Sequence, residues 1–358
     1  MRSMVAVTVA MGLSLAAPVA AQLGQVTKGI QKAQEAQQDL TISDADEKQI
    51  GSDISAKLRD KYGVVQDKAV HKYVTLVGTV LASSSSRPNL DWTFVVLDTD
   101  GVNAFAAPGG FIHITRGALA LMQNESELAN VLGHEISHVT EKHTINAIKK
   151  EKMVNTAASS THNQLLQDVA NAGYSMLLEN KYDRNQEKDA DRLGVTLADK
   201  AGYAPGGLAA FLTRLADRNK NLKDRSGLFA SHPETQDRID TLGKLIAAQH
   251  LTATATVAAR FHSSITFKPV AVDAISTGPA PEPAKTSSSS GSGGGGGKFG
   301  LGNLNPLGNE KSSNQTIASA GSRGLNPDRD AKGGPNKGLV TVTVTAAEVA
   351  EFRKGITG

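Results

Sequence analysis

The sequence predicts an α+β fold, mostly helical, with a small β-sheet beside a central helix, followed by an unstructured linker and a short β-α tail. Three observations predict it. Helical periodicity and most of the aromatic residues, 11 of 15, fall within residues 43–250. Two short apolar runs with strand character, Trp92 to Leu97 and Phe111 to Thr115, interrupt that stretch. Residues 278–338 are rich in Pro, Ser and Gly, including the run Gly293 to Gly297, and cannot bury enough apolar area to offset their chain entropy.

In chain order, Arg2 and the apolar run Met4 to Ala17 precede the small residues Pro18 to Ala21. This reads as an export signal cut near Ala21, too short for a bilayer span. No later run reaches membrane length, so a mature protein without a stable span, periplasmic or secreted, is expected. Residues 22–42 are a Gln-rich, flexible lead-in. Ser43 to Tyr62 is a predicted helix in which Ser43 and Asp46 partly resemble a capping box. Asp67 to Ala82 is a second, with Val70, Val74, Val77 and Leu81 on one face. The strand Phe111 to Thr115 is entered through Pro108-Gly109-Gly110. Helices dominate from Gly117 to Ala248, broken near 155–163 and 219–232. Residues 251–277 read as a strand-rich extension, as in Ser264-Ile265-Thr266-Phe267-Lys268. Beyond the linker, Leu339 to Val344 alternates like a strand, and Thr345 is placed to cap a helix from Ala346 to Lys354, giving a C-terminal unit over 339–358.

Composition narrows the function. The 358 residues carry 38 basic and 35 acidic side chains, a net charge of +3, too weak a bias to point to nucleic acid. With no cysteine, disulfides, thiolate nucleophiles, iron–sulfur clusters and thiolate-bound zinc are excluded, as is lipidation of a processed N-terminal cysteine. Aromatic residues are only 4% and glycines number 35, thin material for one core spanning the whole chain.

The motif His134-Glu135-Ile136-Ser137-His138 is H-E-x-x-H within a segment of helical character. A spacing of four puts both imidazoles on one helix face, where they can reach one metal ion. Glu135 is offset by one residue and can meet a zinc-activated water as general base. A third ligand is needed. Glu187 and Asp191, four apart on another predicted helix, could divide the work: one carboxylate binds zinc while the other accepts a hydrogen bond from a ligand imidazole. Spacing does not say which. His143 lies five residues after His138, off the ligand face, and reads as structural or exposed. His113 reads as packing. Arg238 could pair with an acid near the site or cap its own helix. The glycines Gly109 and Gly110 permit a sharp turn, after which the strand Phe111 to Thr115 could present an edge to an extended substrate.

Four motifs in order resemble the family-forty-eight zinc metallopeptidases, the group of the HtpX, BepA and CAAX prenyl proteases. They are Val102 to Gly110, the H-E-x-x-H itself, Glu187-x-x-x-Asp191 followed by Arg192-Leu193-Gly194, and His232-Pro233-Glu234-Thr235-Gln236-Asp237-Arg238-Ile239. The resemblance covers about residues 44–248 and is strongest to the soluble periplasmic members, although their tetratricopeptide repeats are missing here. It implies a gluzincin-like metallopeptidase domain, one Zn2+ per chain, His134, His138 and Glu187 as ligands, Glu135 as general base and Asp191 as a supporting catalytic acid. It implies for His232 a fourth ligand position that shuts the site until it moves. Asn103, Ala104, Phe105, Gly109 and Gly110 would form the substrate-binding edge.

The function so implied is a zinc-dependent endopeptidase of misfolded or unassembled envelope proteins, with unfolded or misassembled proteins as partners, no nucleic acid, and a docking partner for the C-terminal unit. Two alternatives stand beside it. One is a narrow-specificity processing protease. The other is a latched, non-catalytic zinc protein acting as an assembly factor.

Overall fold

A computed structural model describes residues 42–151, 161–179, 182–220, 235–272 and 336–357. The signal segment, most of the lead-in, His232 and nearly all of the linker lie outside the described residues.

The chain opens with α1 (Asp44–Tyr62) and α2 (Lys68–Ala82). The Ser43 hydroxyl accepts from the Asp46 amide and the Asp46 carboxylate accepts from the Ser43 amide, so the capping box is complete. Asp67 caps α2 by accepting from the amides of Ala69 and Val70. Three strands follow, β1 (Thr93–Leu97), β2 (Ala104–Ala107) and β3 (Phe111–Thr115), in the order β1-β3-β2, with β1 parallel and β2 antiparallel to β3.

The sheet is buried on both faces, as its near-continuous apolar strands require. Phe94, Val96, Ala104, Ala106, Ile112 and Ile114 pack against Val74, Val77 and Leu81 of α2 and the helix that bears the H-E-x-x-H motif. The alternate residues Val95, Leu97, Phe105 and Ala107 meet Ile50, Ile54 and Leu58 of α1. At the β2–β3 turn, Gly109 adopts a left-handed φ of 71° and lies so close to α1 that a Cβ would sit 2.6 Å from the Cα of Lys48.

The helices α3 (Arg116–Leu121), α4 (Glu125–Thr140), α5 (His143–Lys150), α6 (His162–Glu179), α7 (Arg184–Lys200), α8 (Gly207–Asn219), α9 (Thr235–Ala248), α10 (Ala258–Ser264) and α11 (Ala346–Thr357) complete the described chain. The motif helix α4 is the hub, in contact with the sheet, α2, α5, α7, α8 and α10. Among the described residues no helix is long and apolar enough to cross a membrane.

Three expectations are corrected. The strand Phe111 to Thr115 is the central one, hydrogen-bonded on both sides, so it has no edge to offer; the outer strand on that side is β2. The strand-rich extension expected over 251–277 is, as far as Val272, irregular chain around α10, with one bridge pairing Ala255 to Tyr203. Phe261 and Ile265, four apart, both enter the core, and that helical spacing overrides the alternation at 264–268. Leu339 to Val344 is extended with Val340, Val342 and Val344 turned inward, but it joins no ladder. The tail therefore does not pair with a strand near Phe267. Instead α11 packs against α2, and Thr345 caps it by accepting from the Glu348 amide.

Candidate metal centre

His134 and His138 sit on successive turns of α4, and Glu187 and Asp191 on successive turns of α7. The two helices touch backbone to backbone through Gly133 and Gly194: a Cβ on Gly133 would lie 2.7 Å from the Gly194 carbonyl oxygen, and one on Gly194 would lie 2.6 Å from the His134 nitrogen. Only hydrogen fits at that crossing. It brings the acids of α7 over the imidazoles of α4.

The ligand atoms of His134, His138 and Glu187 lie within 4.8 Å of one another, and all three residues are buried. The two Nε2 atoms are 3.1 Å apart, and the Glu187 oxygens are 3.8 Å from His134 Nε2 and 3.5 Å from His138 Nε2. Tetrahedral zinc with bonds of roughly 2.0–2.2 Å sets its ligand atoms about 3.3–3.5 Å apart. The three donors are within about half an ångström of that geometry, and two imidazoles with one carboxylate are a donor set that suits zinc.

Around these donors stands a layer of polar support. Asp191 Oδ1 lies 3.0 Å from His134 Nδ1, which leaves Nε2 toward the donor cluster. Arg238, from α9, bridges the acid pair: its Nε and Nη2 donate to the two Asp191 oxygens at 2.9 and 2.6 Å, and its Nη1 lies 3.2 Å from Glu187 Oε2. Burial alone would raise the Asp191 pKa, but the attraction and hydrogen bonds of Arg238 outweigh it and hold the carboxyl at about 2. Arg238 is pushed the other way, above its usual value, because its two acid partners outweigh its own desolvation. Of the two sequence readings for Arg238, pairing with the acids is the one observed.

Of the two sequence readings for His143, structural or exposed, the first holds: it is buried and stands nearer the site than its spacing suggests. The helix bearing His138 stops at Thr140, and Lys142 takes a left-handed conformation with φ 54° and ψ 34°. That break turns His143 back toward the site, where its Nδ1 lies 3.0 Å from His138 Nδ1. Helical spacing past His138 kept it out of the ligand set but gave no sign of this contact. Tyr182 was not singled out at all. Its ring stacks on His138 with centroids 4.0 Å apart and an interplanar angle of 25°, and its hydroxyl is 2.9 Å from Thr144 Oγ1. A signal existed: Tyr182 directly precedes Asp183, the N-cap of α7, and an apolar residue at that position packs near the fourth helical residue, here Glu187.

Glu135 lies on α4 between the two imidazoles and is buried. Ala104 and Phe105 belong to β2, whose Ala106 carbonyl accepts from Thr144 Oγ1 at 3.3 Å. Asn103 precedes β2, and its side chain accepts from the Ala104 amide. Gly109 and Gly110 are turned to α1 and the chain before β1, and the Gly109 amide donates to Glu47 Oε1 at 3.2 Å. His113 is buried with its Nε2 2.9 Å from Ser55 Oγ, a packing role as its sequence context suggested.

A helix-borne H-E-x-x-H, a glutamate from a second helix and an acid supporting one imidazole define a zinc metallopeptidase domain. The chain belongs to Peptidase family M48, whose family model matches residues 68–246. A Vibrio cholerae relative named for beta-barrel assembly enhancement is 31% identical over 194 residues, which is 51% of this chain and 40% of that protein. The beta-barrel assembly-enhancing protease of Yersinia pestis is 26% identical over 250 residues, 65% of this chain and 51% of its own length. The metalloprotease YcaL of Escherichia coli K12 is 27% identical over 218 residues, 58% of this chain and 83% of that protein. The chain thus spans between 40% and 51% of the length of the two assembly-enhancing relatives.

Proposed function

We propose that this protein is an exported zinc endopeptidase that cleaves misfolded or unassembled envelope proteins, with His134, His138 and Glu187 holding the metal. The observation that carries the reading is the convergence of those three donors on one point, with Glu135 on the same helix. The names of the assembly-enhancing relatives support the substrate class. The N-terminal signal pattern supports a periplasmic location.

Zinc held there would supply a Lewis acid for the scissile carbonyl and would acidify the attacking water. The protein's own groups do the rest. Glu135 takes the proton of the attacking water and delivers it to the departing amine. Asp191 keeps His134 in the tautomer that presents Nε2, and Arg238 keeps Asp191 ionised. Asn103, Ala104 and Phe105 are assigned to the strand edge that lines up an extended substrate, with Gly109 and Gly110 shaping the turn behind it. His232 is assigned to the fourth ligand position, where it would block the water until displaced.

Cleavage of an unfolded model protein by zinc-loaded wild type and Glu135→Gln tests the reading. The variant should keep its zinc and lose activity by roughly 10²–10⁴-fold. Equal activity in the two proteins would refute Glu135 as the base. If neither cuts although both hold zinc, His232→Ala should release activity; continued silence would favour the non-catalytic alternative.

A further inference from the structure

We propose that His143 is the positioning residue for His138: its Nδ1 accepts the His138 Nδ1 proton and so fixes the tautomer and ring orientation of that ligand. The inference rests on the zinc-site reading above and adds a residue that the H-E-x-x-H and E-x-x-x-D motifs do not contain.

The geometry carries it. Two imidazole nitrogens 3.0 Å apart share a hydrogen bond only if one of them bears the proton. His138 Nε2 faces the donor cluster, 3.1 Å from His134 Nε2 and 3.5 Å from Glu187 Oε1. For Nε2 to offer a lone pair to a metal, the proton of His138 must lie on Nδ1. His143 Nδ1 is then the acceptor, and His143 carries its own proton on Nε2. The two ligand imidazoles are thus held by acceptors of different charge, a carboxylate for His134 and a neutral ring for His138.

His143 is fixed from three directions. Before it, Lys142 is held in its left-handed turn by an ion pair with buried Glu47 at 2.9 Å. The His143 carbonyl accepts from Gln186 Nε2 of α7 at 3.1 Å. After it, Thr144 joins Tyr182, which stacks on the His138 ring itself, to the Ala106 carbonyl of β2. The Lys142 ammonium also pairs with Asp44 at 3.2 Å, so two acids of α1 hold the lysine in that turn.

The test uses the full chain as wild type, His143→Leu and His143→Asn. Zinc affinity is measured by chelator competition, folding by thermal melting, and histidine ring protonation in the zinc-loaded wild type by ¹⁵N NMR. An asparagine oxygen can stand close to the place of Nδ1; leucine offers no acceptor. His143→Leu should bind zinc about 10–100-fold more weakly, His143→Asn should recover most of that loss, and His138 should carry its proton on Nδ1. Wild-type affinity in His143→Leu overturns the proposal. So does an equal loss in both variants, which would make His143 a packing residue, or a His138 that binds zinc through Nδ1. A wild type that takes up no zinc defeats the underlying metal-site reading instead, a result recognisable before any variant is made.

Discussion

Arg238 is the residue on which the acids of α7 depend. It is buried, and it neutralises two carboxylates that would otherwise face each other four residues apart on one helix. Breaking a buried pair by removing one partner leaves an uncompensated charge and typically costs about 3–5 kcal/mol. Arg238→Leu should lower the melting temperature of the metal-free protein sharply. Zinc binding at Glu187 replaces part of the lost positive charge, so added zinc should raise the melting point of the variant by more than that of wild type. An equal zinc-induced rise in both proteins would refute this account. The sequence could not decide between two roles for Arg238 because its partners are 47 and 51 positions away in the chain; only the packing of α9 against α7 chooses.

At the scale of elements, the crossing of α4 and α7 sets the ligand geometry, and Gly133 and Gly194 set the crossing. Gly194→Ala places a methyl carbon 2.6 Å from the His134 backbone, which no rotamer change relieves. The helices must separate, at about 1–3 kcal/mol of overpacking, and the zinc affinity should fall with stability. A variant that melts lower but binds zinc as wild type would show that the donors adjust independently of the crossing. Much at this scale was legible beforehand. α1 and α2 announce themselves through Ser43 and Asp67 and through one apolar face, and the sheet through two apolar runs, because those signals are local. His134 and His138 were legible because a helix fixes the i, i+4 relation; spacing left Glu187 and Asp191 open, and only the family resemblance separated them. The rest was not. His143 depends on a backbone reversal at Lys142 that no side-chain pattern encodes, and β3 takes the central place through a strand, β2, too short and alanine-rich to stand out. The 258–268 stretch satisfies two periodicities at once, and the core burial of Phe261 and Ile265, four apart, decides between them; Arg260, on the same helix, has a buried partner.

That partner is Glu125, fully buried in the first turn of α4, where a negative charge suits the helix N-terminus. It accepts from Arg260 Nε at 2.7 Å and from the hydroxyls of Tyr73 and Tyr203 at 2.8 and 2.6 Å. On the scale of the whole molecule, α11 closes this cluster. The Phe352 ring lies 3.8 Å from the Arg260 guanidinium, and Arg260 Nη1 donates to the Phe352 carbonyl at 3.0 Å. Phe352→Ala should cost about 1–3 kcal/mol through lost area and cation–π contact, read as a lower denaturation midpoint; an unchanged midpoint would mean that α11 adds nothing to the domain. Acid should also unfold the molecule in a graded way. Burial outweighs a backbone hydrogen bond and holds the His113 imidazole near a pKa of about 3, so the unfolded chain binds more protons from about pH 6.5 down to 3. Its contribution is complete above that interval and is lost as pH falls through it, by up to about 1.4 kcal/mol per pH unit. Glu47 is depressed as well: burial raises its pKa, but hydrogen bonds and attraction from Arg87, with a hydrogen bond from Lys142, outweigh that, so its contribution is lost below the ordinary glutamate range. Thermal melts across pH should show the slope, and His113→Leu should flatten it between pH 6.5 and 3. The docking of α11 has a temporal side too. Lys72 and Glu348 pair across 276 positions of chain, so this contact closes one of the longest loops in the molecule. Contacts of such separation join late on the folding route, and whatever joins after the rate-limiting barrier governs how slowly the native state is left. Substitutions in α11 should therefore quicken unfolding in stopped-flow experiments while the refolding rate stays nearly constant. In that sense the helix works as a timer on the lifetime of the folded enzyme.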